Sequence, residues 1–94
     1  MQILKRTKFN DELKNIFFYI AQDSKTRAKK FKDDLVKKIE DLIFMPYKCR
    51  ESIYFEDTNI RDLIFKGYVI VYKIDEKNDT IFILGIKKYT NKFL

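Results

Sequence analysis

Apolar residues near the start of the chain fall at Phe9, Leu13, Ile16, Phe17 and Ile20. Steps of three and four put them on one face of a helix, predicted to run from about Phe9 to Gln22. Thr7 or Asn10 can supply the capping oxygen, and Asp11 and Glu12 suit the positive end of the helix dipole. Asp23-Ser24 offers a turn with Ser24 as a second cap, and Ala28, Phe31, Leu35, Ile39, Leu42 and Ile43 continue the helical spacing. This second helix stops near Phe44, because Pro46 cannot continue it and disfavours the helical conformation at Met45. Two such helices with a two- or three-residue joint run antiparallel, as a helical hairpin.

Strand patterns occupy the rest. Gln2 to Arg6 reads as a short first strand, and Ser52-Ile53-Tyr54-Phe55 as another after Pro46. Asn59 to Lys66, Tyr68 to Asp75 and Thr80 to Lys87 follow. Gly67 sits where a tight hairpin needs positive φ, and Glu76-Lys77-Asn78-Asp79 forms a polar turn. Gly85, inside a strand, predicts a bulge or the close approach of a packed helix. The order β-α-α-β-β-β-β predicts an α+β fold: an antiparallel sheet of four to five strands with the N-terminal helical hairpin on one face. No repeat or linker interrupts it, so residues 1–94 are expected to form a single domain.

Tyr68-Val69-Ile70-Val71-Tyr72 and Ile81-Phe82-Ile83-Leu84 are apolar at consecutive positions, the pattern of strands covered on both faces. One helical hairpin covers only one face. The second face is then expected to lie under the C-terminal segment, Thr90 to Leu94, or under another protein. So short a segment covers little, which favours the partner.

Charge and chemistry narrow the function. Twenty Lys and Arg against 14 Asp and Glu give +6, which favours an acidic partner such as nucleic acid or an acidic protein. The absence of His excludes Ser-His-Asp and Cys-His mechanisms and any His-ligated metal. Cys49, the single cysteine, permits no internal disulfide and no Cys-rich zinc site; beside Arg50 it reads as a passive loop thiol. A lone thiol fits a reducing compartment. With no membrane-length apolar stretch and no signal-peptide pattern, the expectation is a soluble cytoplasmic protein with no membrane association.

Asp11-Glu12-Leu13-Lys14-Asn15-Ile16 continuing to Tyr19-Ile20-Ala21, then Asn59-Ile60-Arg61-Asp62-Leu63, Gly67-Tyr68-Val69-Ile70-Val71-Tyr72 and Ile81-Phe82-Ile83-Leu84-Gly85-Ile86, together resemble the RelE/ParE superfamily of small toxins from type II toxin–antitoxin systems. The likeness spans nearly the whole chain and is nearer the ParE-like branch. It implies a basic toxin active in growth inhibition and plasmid stabilization, neutralised by a cognate antitoxin, with DNA gyrase as target. It implies no cofactor, no metal and no small-molecule substrate, and a homodimer or a toxin–antitoxin hetero-oligomer. The other branch cleaves mRNA on the ribosome. Its members typically carry an arginine where this chain has Val69, and a basic residue or His near Lys88 or Tyr89. Arg61 matches an arginine common in the ParE-like pattern. A third reading is an inactive or nucleic-acid-binding module of the same fold.

RNA cleavage needs a base, an acid and charge stabilisation at phosphate. Only Arg61, Lys87, Lys88 and Tyr89 are candidates for that chemistry here, and adjacent strand residues such as Lys87 and Lys88 point to opposite faces. The reading therefore leans away from an enzyme. Lys29, Lys30, Lys37 and Lys38 each have an aspartate four residues away, as on a solvated helix face, which leaves Lys25, Arg27 and Lys32 available to a target. These three, with Arg61, Lys87, Lys88 and Tyr89, are the candidate target- or antitoxin-binding residues. Arg61 reads equally as a structural ion pair, and Lys87 to Tyr89 as a solubilising strand end. Phe17, Phe31, Tyr68 and Tyr72 read as core aromatics.

Overall fold

Strand β1 (Gln2–Lys5) passes almost directly into helix α1 (Thr7–Ala21) in a computed structural model that describes residues 1–89. The start of α1 is set by the strand rather than by a polar cap. Arg6 donates its N–H to the Ile83 carbonyl and accepts from Asn10 N–H, so it ends β1 and caps α1 in one residue, with no side-chain cap. Thr7 is therefore the first helical residue and Asn10 lies inside the helix, correcting both as capping candidates, and Asp11 and Glu12 fall beyond the first turn. Ser24 does cap α2 (Lys25–Glu40), its hydroxyl accepting the Arg27 N–H at 3.1 Å. One 3₁₀ turn, Asp41–Ile43, carries the chain to Phe44.

The remaining strands are β2 (Arg50–Glu51), β3 (Ile60–Phe65), β4 (Tyr68–Asp75) and β5 (Thr80–Lys88). Ser52 to Phe55, expected as a strand, does not form one. Side-chain oxygens divert its backbone: Ile53 N–H donates to the Asp62 carboxylate and Tyr54 N–H to the Ser52 hydroxyl. Such local acceptors compete with a strand ladder. The sheet order is β1-β5-β4-β3-β2. It is not wholly antiparallel, because β1 runs parallel to β5 with Ile3 opposite Ile81. Parallel neighbours need a long crossover, which the helical hairpin and the three intervening strands supply. Lys66 and Gly67 both have positive φ, 48° and 82°, as the tight β3–β4 turn requires.

The hairpin packs Phe9, Leu13, Phe31, Leu35 and Ile39 against Leu63, Ile70, Tyr72, Ile74 and Ile81. On the opposite face Ile60, Val69 and Val71 form a second buried cluster with Leu84 and Tyr89 packed on it. Part of that face is covered by the loop after β2, whose Tyr54 and Phe55 share a hollow with Val71 and Leu84. The choice between a C-terminal cover and a partner thus left out a third cover, built from residues first read as a strand. The proposed cover from Thr90 to Leu94 lies outside the described residues. The register shift at Val71/Tyr72 leaves Leu84 as the extra residue of a bulge, adjoining Gly85.

Candidate functional site

Arg61 begins on β3 and turns back into the Pro46 loop. Its guanidinium donates to the carbonyls of Thr58 (2.9 Å), Cys49 (3.0 Å) and Tyr47 (3.4 Å) and lies over the Tyr47 ring at 5.0 Å. It is engaged by carbonyls and a ring rather than by a carboxylate. The Tyr47 phenol has its pKa raised, by desolvation first and then by Glu76.

On the other face of the same strand, Asp62 is almost wholly buried. One carboxylate oxygen accepts from Arg50 at 3.2 Å and from Ile53 N–H at 3.1 Å, while the other has no hydrogen-bond partner among the described residues. Arg50 lies over the Tyr89 ring at 5.4 Å, and its pKa is raised by Tyr89 first and by Asp62, against the effect of desolvation. Sequence reasoning missed this pair. Its signal was a carboxylate at Asp62 between Ile60 and Ile64, on a strand face that is otherwise apolar.

The end of β5 distributes its candidates. Lys87 reaches the far face, with its ammonium 3.5 Å from the centre of the Tyr54 ring. Lys88 lies opposite Tyr68, and its neighbour Tyr89 donates its N–H to the Gly67 carbonyl at 2.7 Å. Arg61 is opposite Tyr72, which is opposite Ile83, so it stands well along the sheet from Lys87 and Lys88. Val69, in place of the ribonuclease arginine, is fully buried. The structure brings Lys87, Lys88 and Tyr89 to one strand end but does not bring Arg61 to them.

Lys25, Arg27 and Lys32 are exposed on α2. Lys32 reaches the Phe17 ring at 5.9 Å, and Arg27, Lys30 and Lys66 surround a hollow floored by Ile20 and Phe31. Of the four-residue pairs on this helix, Lys30–Asp34 closes at 3.3 Å among the described residues, and Lys66 joins Asp34 at 3.6 Å. The Lys30 hydrogen bond is the leading cause of a lowered Asp34 pKa.

Beyond the end of β1, the outer edge of β5 is met by α1. Glu12 pairs with Lys8 at 2.7 Å through one oxygen and accepts the Ile86 N–H at 3.1 Å through the other. A side chain at Gly85 would stand 2.9 Å from that carboxylate, which accounts for the glycine. Among the described residues no group of three or more His, Cys, Asp or Glu assembles a metal site, and no helix is long and apolar enough to cross a membrane. The surface offers cations, aromatic rings and an open strand edge, features suited to holding a macromolecule.

A five-stranded sheet under an N-terminal helical hairpin is the architecture of the RelE/ParE-like toxins. The family described as the ParE toxin of the type II toxin–antitoxin system parDE matches residues 3–91, and the chain belongs to that family. Among solved structures, a chain of the chromosomal ParDE toxin–antitoxin system from P. aeruginosa is similar, with a TM-score of 0.78 over 96% of this chain and 97% of that one. Its identity to this chain is 20%, so it speaks for a shared fold. No curated protein matches the chain.

Proposed function

We propose that this protein is the toxin of a toxin–antitoxin pair, held inactive by a cognate antitoxin and, when free, binding DNA gyrase. The observation that carries the reading is the ParE family match across residues 3–91. Val69 buried where the ribonuclease branch has arginine, and Arg61 engaged by three loop carbonyls, favour a binding toxin over one that cleaves RNA. Without a convergent phosphate clamp and acid–base pair among the described residues, RNA cleavage has little to work with. Contact with the target is assigned to the exposed cations Lys25, Arg27 and Lys32 and to the strand end at Lys87, Lys88 and Tyr89.

The test is a supercoiling assay with purified protein and gyrase, beside induced expression scored for an SOS response. Loss of supercoiling with SOS induction is expected. Cuts in mRNA on translating ribosomes with gyrase unaffected would move the protein to the ribonuclease branch. Growth unaffected by expression would leave a binding module of the same fold.

A further inference from the structure

We infer that the outer edge of β5 from Ile86 to Lys88 is a strand-addition site for an extended, acid-flanked apolar segment of a partner protein, and that Glu12 occupies it in the free protein. The partner's identity rests on the toxin–antitoxin reading; the site itself does not.

Strand β1 pairs with β5 only as far as Lys5 opposite Ile83, so among the described residues the later part of β5 has no strand on its outer side. Backbone groups alternate across a strand. Ile86 N–H points outward to Glu12 and Tyr89 N–H points inward to Gly67, so Ile86 and Lys88 present their N–H and C=O groups to the open edge. Glu12 Oε1 stands where the carbonyl of an added strand would accept the Ile86 N–H.

Two hollows flank this edge, one on each face of the sheet, and share Glu12, Ile86 and Lys87. The far-face hollow, about 220 Å³, is walled by Tyr54, Phe55, Val71 and Leu84. The helix-face hollow, about 390 Å³, is walled by Ile16, Tyr19 and Tyr68. Successive side chains of a strand point to opposite faces, so an incoming strand would place consecutive apolar residues in the two hollows. Exposed β edges recruit strands in this way, with backbone hydrogen bonds giving affinity and pockets giving specificity.

Charge complementarity selects the occupant. Lys8, Lys87 and Lys88 rim the two hollows, and the carboxylate among them, Glu12, is the one an incoming strand displaces. Its release frees Lys8 for an acidic residue of the partner. An extended segment with apolar residues at its centre and carboxylates at its ends meets each of these features.

The probe is a synthetic Glu-Glu-Val-Leu-Val-Glu-Glu peptide with blocked ends, compared with its Lys-flanked counterpart. Binding is followed by titration and by amide exchange of the full-length protein. Binding of the acidic peptide alone is expected, with exchange at Lys88 slowed about tenfold at saturation. Glu12→Ala, which removes the competitor for the Ile86 N–H, should tighten binding about fivefold, and Glu12→Gln less. Lys88→Pro removes an outward N–H while sparing the β4 ladder, and should abolish binding. Absence of binding by the acidic peptide, or binding without slower exchange at Lys88, overturns the inference. So does slowing at Lys88 that grows with protein concentration alone, which would make the occupant a second copy. Gyrase inhibition and growth arrest are scored on the wild-type protein, apart from peptide binding, so the site can fail while the toxin reading stands.

Discussion

Tyr72, fully buried in the sheet, donates its hydroxyl to the carbonyl of Pro46 across 2.6 Å. The bond ties the loop that ends the helical hairpin to the central strand, beside the carbonyls that Arg61 gathers. Tyr72→Phe keeps the ring and removes the tie. It should destabilise the fold by about 1 kcal/mol, a fall in melting temperature of roughly 4–8 °C for a domain of this size. Thermal unfolding of the two proteins at neutral pH measures it.

The same phenol makes the alkaline limb of stability predictable. Burial, and then the Cys49 thiol, push its pKa well above the ordinary 10.0. A folded-state value above the unfolded one means that the native state holds the proton more tightly. The associated stability is complete below about pH 10 and is lost as pH rises from there toward the folded-state pKa. Urea midpoints taken on either side of pH 10 should fall more steeply for the wild type than for Tyr72→Phe. Equal slopes would remove Tyr72 as the cause.

Asp62 and Arg50 should behave as a unit. Arg50→Ala leaves a buried carboxylate with the Ile53 N–H as its one partner among the described residues. It should cost about 2–3 kcal/mol, at or below the low end of the roughly 3–5 kcal/mol for a fully buried pair, because Arg50 is partly exposed. Replacing both, as Arg50→Met with Asp62→Leu, should recover much of that loss. A double-mutant cycle by chemical denaturation reads the coupling.

The two helices and the β3–β4 hairpin were legible because each has a local cause: periodic apolar spacing, Ser24 as a cap, Gly67 in a tight turn. The errors fall where a distant residue decides. Ser52 to Phe55 reads as a strand, but Asp62, nine residues on and in the next strand, takes the Ile53 amide and bends it away. Thr7 and Asn10 have the chemistry of caps, yet the Ile83 carbonyl fixes where β1 ends and α1 must begin. The parallel pairing of β1 with β5 spans almost the entire chain and leaves no local mark. At the candidate site, Gly85 announced the close approach of a helix, whereas nothing near Arg61 indicated that three carbonyls would hold it.

Arg61 and the α2 cations should therefore separate stability from function. Arg61→Ala releases the Thr58, Cys49 and Tyr47 carbonyls, so a lower melting temperature and weaker growth inhibition are expected together. Arg61→Lys should rescue little, since an ammonium cannot reproduce the fork of a guanidinium. Joint replacement of Lys25, Arg27 and Lys32 by glutamine should weaken growth inhibition with the melting temperature nearly unchanged. Toxicity surviving the triple replacement would exclude that face as the target contact.

Glu12 and Gly85 provide a test of how the helix grips the strand end. A methyl at Gly85 would lie 2.9 Å from Glu12 Oε1, so Gly85→Ala must displace the carboxylate from the Ile86 N–H. The obstructing atoms are the tip of a flexible side chain, and the glycine's φ lies outside the left-handed region, so the expected loss is only the hydrogen bond, about 1 kcal/mol. In a Glu12→Ala background nothing remains to be displaced, and Gly85→Ala should then be close to neutral. The two losses are thus strongly non-additive in urea denaturation, as expected for residues that share one interaction. Simple additivity would mean that Gly85 acts through the backbone of the bulge instead, and that Glu12 holds Ile86 without its help.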